Sequence, residues 1–331
     1  MDPQYSLHTV SHGDVVVIII SFALFALTFL LLADAWLFHT YPPIRIKYLP
    51  LVSLIYLSGI GWFLGTLQTA GLVDVAGVWA NCKAWSVWVR LLGGYTFLAL
   101  LVVHAFTHYY RLTVRESPDS SRMVFLGASL LVLPLSVCTV GQVLPPESSA
   151  AYVDSLQICW LGSEYQLATL GVSVAIMSIY CIALFKLHTS KCCFNEVYEY
   201  LAILIVVLAR IAKSIALCSI LPALPLDKHA RRFSVLYDVA TAISVIWILL
   251  LTPVYKCLVD HKRYERMWAA KLTADGLWQE YEVDIQRACS YVECLSLSRV
   301  GHSGLVAEAV PHTRPRGFFP SSTEMGVELR P

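Results

Sequence analysis

Seven apolar runs, each about long enough to cross a bilayer as a helix, leave this chain few folds to choose from. They cover residues 15–37, 49–72, 84–106, 124–143, 165–186, 200–221 and 234–255. A helix rises about 1.5 Å per residue, so about 20 residues cross a hydrocarbon core about 30 Å thick. In lipid the backbone must satisfy its own hydrogen bonds, which leaves helices or closed barrels, and runs of this length exclude the barrel. The expected fold is an all-α membrane protein, a seven-transmembrane helix bundle. Composition agrees: of 331 residues 57% are apolar and 14% charged, against about 25% charged in a soluble domain. The net charge of +1 and the lack of a glycine-rich phosphate loop give no reason to expect nucleic acid as a partner. Membrane lipid is the expected one.

Basic residues in short loops set the orientation. With the N-terminus outside, the inner side holds Arg45, Lys47, Arg111, Arg115, Arg122, Lys186, Lys191, Lys256, Lys262, Arg263, Arg266 and Lys271. The outer side holds only Lys83, Lys228, Arg231 and Arg232. The loop between the fourth and fifth runs agrees, carrying Glu147, Asp154 and Glu164 without Lys or Arg, while the basic stretch 228–232 dissents. The chain is therefore expected to lie N-outside and C-cytoplasmic, in the plasma membrane. The first run has no basic region before it and is too long for a signal peptide. The organisation expected is a short extracellular segment 1–13, a membrane domain 14–256, an amphipathic cytoplasmic segment 257–295 and a disordered tail 296–331. In the third of these, Tyr264, Met267, Trp268 and Leu272 repeat at helical spacing among Lys and Arg, the pattern of a helix lying on an anionic leaflet.

Cys82 and Cys159 both fall on the outer, oxidising side, where a bridge would tie the third helix to the loop before the fifth; the alternative is two free thiols. Cys192, Cys193 and Cys257 sit at inner membrane ends, either palmitoylated or free. Cys289 and Cys294 lack zinc-site spacing.

Charges inside a bilayer are costly, about 2.5 to 3.5 kcal/mol each on insertion scales, and four stand out: Arg90, Arg210, Lys213 and Asp238. Counted from the outer ends, they lie about 9, 16, 12 and 6 Å deep, in one layer of the outer half. Gln68 and Gln142 fall near the same depth. This layer is either a structural ion pair of Asp238 with Lys213 or Arg210, or a pocket. One carboxylate cannot neutralise three cations, so a pocket would suit an anionic or hydroxyl-rich ligand.

At the inner side the third helix ends in His104, His108, Tyr109, Tyr110 and Arg111, and the seventh in Thr252-Pro253-Val254-Tyr255. These partly echo rhodopsin-like receptors, but the acid of their acid–Arg–Tyr switch is missing. No lysine lies inside the seventh run, which excludes a retinal Schiff base there. His104 and His108 share a helix face, and with Asp34, His39 and His188 could hold zinc in a lipid hydrolase.

The segment Cys82-Lys83-Ala84-Trp85-Ser86-Val87-Trp88, leading into a helix that ends in Tyr110-Arg111, resembles the third helix of plant and fungal seven-transmembrane receptors. Those receptors carry a regulator-of-G-protein-signalling (RGS) domain after the membrane part. Cys159, Phe194-Asn195-Glu196 and Arg232-Phe233 are similar too, and the likeness spans about residues 14 to 256. The resemblance implies a G-protein-coupled-receptor-like transducer of an extracellular small molecule, with sugars as cues of the plant members and a heterotrimeric G protein as partner. Tyr110, Arg111, Arg115 and Lys191 would face that G protein. The RGS domain needs well over 100 residues, more than follow Lys256, so GTPase-accelerating activity is not expected. No enzymatic activity and no cofactor are expected, and a homodimer is left open. The alternatives are a seven-helix transporter or channel and the zinc-dependent lipid hydrolase.

Overall fold

The computed structural model describes residues 11–73, 79, 81–110, 120–153, 158–189, 196–219 and 227–274. Seven of its helices are long and apolar enough to cross a membrane. They are α1 (His12–Leu37), α3 (Leu49–Thr69), α4 (Ala84–Tyr109), α5 (Ser120–Val143), α6 (Ser163–Thr189), α7 (Glu196–Ser219) and α8 (Lys228–Ala274). A short α2 (Pro42–Ile46) precedes α3. Between them Tyr48 takes a left-handed φ of 52°, a conformation that costs a residue with a Cβ about 1–2 kcal/mol. It turns the chain at once into α3, whose first turn accepts Pro50 because the first helical N–H groups have no intrahelical partner anyway.

Two features depart from the expected bundle. The stretch 144–164, read as loop, contains an antiparallel hairpin, β1 (Ala150–Val153) with β2 (Ile158–Leu161), pairing Tyr152 with Cys159. Its strands are built from residues that favour a half-buried pleated surface, Tyr, Val, Ile, Trp. The disulfide between Cys82 and Cys159 forms, with Cα atoms 5.5 Å apart, and fastens β2 to the start of α4. Secondly, the seventh membrane helix does not stop near 256. It runs to Ala274 with one break in helical geometry at Asp260 (φ −145°, ψ 49°). Beyond the break the Tyr41 ring stacks on His261 at 4.4 Å. Tyr264 packs against the core and Trp268 is only 8% exposed. The apolar face expected to rest on lipid is thus used partly against protein, while Met267 stays exposed.

At the disulfide end α1 and α8 are joined by an ion pair, Arg232 Nε to Asp14 Oδ1 at 2.7 Å. The α2 end is closed by a buried polar chain. Tyr180 donates to the Tyr200 carbonyl at 3.1 Å, and the Tyr200 hydroxyl meets His104 Nδ1 at 2.7 Å. His104 Nε2 in turn lies 2.9 Å from the Lys47 carbonyl. A carbonyl only accepts, so Nε2 carries the proton and Nδ1 accepts from Tyr200. The Lys47 ammonium then pairs with Glu199, next to Tyr200. Four segments are locked by this chain. Tyr200→Phe, which leaves buried Nδ1 without the Tyr200 hydroxyl, is expected to lower stability by about 1–3 kcal/mol, readable as a fall in the thermal midpoint of the purified protein.

Candidate ligand-binding site

Two cavities lie among α3, α4, α6 and α7, the second reaching α8 as well, in the half of the bundle nearer the disulfide. The deeper, about 90 Å³, is lined by Trp62, Tyr95, Thr169, Ser173, Arg210 and Ser214 among others. The shallower, about 210 Å³, lies against β2 and takes in Thr66, Thr69, Cys159, Trp160, Arg231 and Ser234. Arg90, Leu161 and Gln166 line both. Three arginines therefore reach this space, and no carboxylate does among the described residues.

Arg90 owes its position to an unusual helix start. Residues Ala84–Leu91 form a π-helical segment, and regular α-helix begins only at Leu92. Such segments widen the turn and re-aim the side chains on it, often at functional sites. The backbone at Arg90 presses so closely on Gly65 of α3 that a methyl group there would overlap it. Gly93 meets the Trp62 backbone in the same way. Glycines thus set the α3–α4 spacing that brings Trp62 and Arg90 to one cavity wall.

Arg210 enters from α7. Its guanidinium stands 4.3 Å from the centre of the Trp62 ring, a cation–π contact. Its Nε is 4.0 Å from Asp238 Oδ1 and has no hydrogen-bond partner among the described residues. The same carboxylate oxygen lies 2.5 Å from Lys213 Nζ. Lys213 also donates to the Ser234 hydroxyl (3.1 Å) and carbonyl (3.3 Å), so its three N–H groups have three acceptors. Asp238 is thus engaged mainly by Lys213, behind the cavity wall, and neither residue lines the cavity. The Asp238–Lys213 pair expected to hold the sixth and seventh membrane helices together thus lies beside the cavities and not in them.

The remaining candidates stand elsewhere. Gln68 is buried and donates from Nε2 to the Trp79 carbonyl (3.1 Å) and Cys159 Sγ (2.8 Å), a support for the disulfide. Gln142, at the right depth, is exposed at the end of α5 and accepts from Trp88 Nε1 at 3.1 Å. Depth placed it correctly; direction did not. Tyr110 closes α4, its ring edge-on to Tyr109. Arg111, Arg115, Lys191, Cys192 and Cys193 lie outside the described residues, as does the tail 296–331. Cys257, the remaining lipidation candidate, lies on α8 next to Lys256. It is 6% exposed and its thiol sits 3.5 Å from His261 Nδ1. For zinc, no three His, Cys, Asp or Glu side chains come together among the described residues.

Sequence reasoning missed part of the lining. Gln166, Thr169 and Ser173 recur at i, i+3 and i+7 in an otherwise apolar run, which is one polar face of a helix. That spacing could have found them. Arg231 was legible only as a dissenting charge.

No protein-family model matches this chain, and no curated protein matches it.

Proposed function

We propose that the protein is a G-protein-coupled-receptor-like transducer, with the disulfide end outside, whose cavities take a small anionic molecule such as a carboxylate or phosphorylated sugar. The observation that carries this is the lining: Arg90, Arg210 and Arg231 with hydroxyl and amide groups, and no carboxylate among the described residues. Guanidinium forks bind carboxylate and phosphate bidentately and keep their charge in an apolar setting. At about 90 and 210 Å³ each cavity is smaller than a drug-sized site, about 300–1,000 Å³, which restricts the ligand to a small solute. Arg231 and Arg232 also offer a reason for the basic stretch that runs against the charge rule, since one lines the cavity and the other pairs with Asp14.

Signalling rests on the resemblance of the 82–111 region to seven-transmembrane receptors, together with a closed opposite end. A ligand there would have to favour a state in which the His104–Tyr200 chain rearranges, since equal affinity for both states shifts nothing. The test uses purified protein and heterotrimeric G-protein α subunits. Association is expected to differ between GDP- and GTP-loaded subunits and to weaken with Arg111→Ala. An anion that raises the thermal midpoint should lose at least tenfold in affinity with Arg90→Gln, a charge-assisted hydrogen bond being worth about 1.5–3 kcal/mol. If the anion bound but crossed proteoliposome membranes with no nucleotide-sensitive association, the receptor reading would fall to a transporter.

A further inference from the structure

At the opposite end a further concavity opens sideways between α7 and α8, with a volume of about 820 Å³. Its walls are mainly apolar, with Ala202 and Val206 from α7 and Ile248 and Leu251 from α8, and Ser244 and Thr252 add hydroxyls on the α8 side. Trp268, from the turn beyond Asp260, closes it below. Tyr198 at 71% exposure and Leu251 at 45% mark its open side, which the seven-helix arrangement turns toward lipid. From Ser244 to Lys256 the lining descends 12 residues of α8, about 18 Å of rise. One leaflet of hydrocarbon is about 15 Å deep. The groove therefore has the length of an acyl chain.

Charge is confined to one end of it. Lys47 and Glu199 line the groove but cancel one another through their ion pair. Lys256 remains, beside the Tyr255 ring at 5.9 Å and paired with no carboxylate among the described residues. Lys262 and Arg266 follow within three turns, both exposed. A mainly apolar slot one leaflet deep, ending in an ammonium that no described carboxylate pairs with, matches an amphiphile with an anionic head.

We propose that this groove binds one anionic glycerophospholipid of the adjacent leaflet, which an N-outside orientation makes the cytoplasmic one. An acyl chain lies along Ala202, Val206 and Ile248, and the phosphate sits at Lys256. The site is distinct from the arginine-lined cavities and does not depend on the receptor reading.

The full chain, reconstituted in nanodiscs of equal phosphatidylglycerol and phosphatidylcholine, is released into mild detergent and its retained lipid counted by native mass spectrometry. One phospholipid per chain is expected, enriched in phosphatidylglycerol about fivefold, the effect of one basic side chain near a membrane surface. Lys256→Gln, which touches no core contact, should keep the lipid and lose the enrichment. Ala202→Phe, which fills the slot, should lose the lipid itself. Retention of no lipid by the wild type would overturn the proposal. So would equal headgroup ratios in wild type and Lys256→Gln, or a dimer that Ala202→Phe converts to monomer without changing bound lipid.

Discussion

Asp238→Leu is expected to destabilise the protein by about 3–5 kcal/mol, the cost of removing one partner of a buried ion pair. Asp238 and Lys213 are 7% and 18% exposed, and the carboxylate oxygen at 2.5 Å is the only anionic acceptor Lys213 has among the described residues. Removing it strands an ammonium among apolar helices, with Arg210 nearby and no other countercharge for either among the described residues. Ser234 can keep two of the ammonium's hydrogen bonds but supplies no charge. The double variant Asp238→Leu with Lys213→Met should recover most of the loss, because replacing both members of a buried pair by apolar groups of similar volume is often neutral. Recovery should fall short by what Arg210 loses, since its Nε also faces this carboxylate at 4.0 Å. Unfolding by sodium dodecyl sulfate in mixed micelles gives all three free energies. A single variant within about 1 kcal/mol of wild type would mean that Asp238 neither holds α7 to α8 nor balances the cavity charge, and additive effects in the double variant would deny the coupling.

The sequence disclosed depth better than direction. Rise per residue turns position in a run into depth, so Arg90, Lys213, Arg210 and Asp238 could be placed in one layer before any contact was known. The disulfide was one of two readings of cysteines expected on the same side of the membrane, and it is the one that forms. Which way a side chain points was much harder to read, because lipid and core are both apolar. The 3.6-residue alternation that marks the buried face of a soluble helix is therefore weak in α1, α5 and α6. Gln142 illustrates the loss: it has the right depth on the wrong side of its helix. Polar residues restore the signal where they recur, as Gln166, Thr169 and Ser173 do. The hairpin was hidden because two four-residue strands carry too short an alternation to separate from loop. The π-helical start of α4 has no compositional mark at all; it becomes legible only once Gly65 and the Arg90 backbone are seen in contact.

That contact supplies a matched pair of substitutions with opposite expected signs, four residues apart on the same helix. Gly61 has nothing within 4 Å of the position a methyl group would take. Gly61→Ala should therefore stabilise α3 by about 0.5–1 kcal/mol, the ordinary helix preference for alanine. Gly65→Ala places the same methyl group against the backbone nitrogen and Cα of Arg90. Backbone cannot rotate away as a side-chain tip can, so α3 and α4 must separate. The expected cost is about 3 kcal/mol or more, at the upper end for overpacking. The separation would also carry Arg90 away from Trp62 and Gln166, enlarging the deeper cavity and loosening the guanidinium fork. A stabilising anion should accordingly lose affinity in Gly65→Ala and keep it in Gly61→Ala, in measurements below the unfolding transition of both. Equal, small effects at the two glycines would mean that α3 stands too far from the π-helical segment for Gly65 to touch Arg90, and the basis for aiming Arg90 into the cavity would go with that contact.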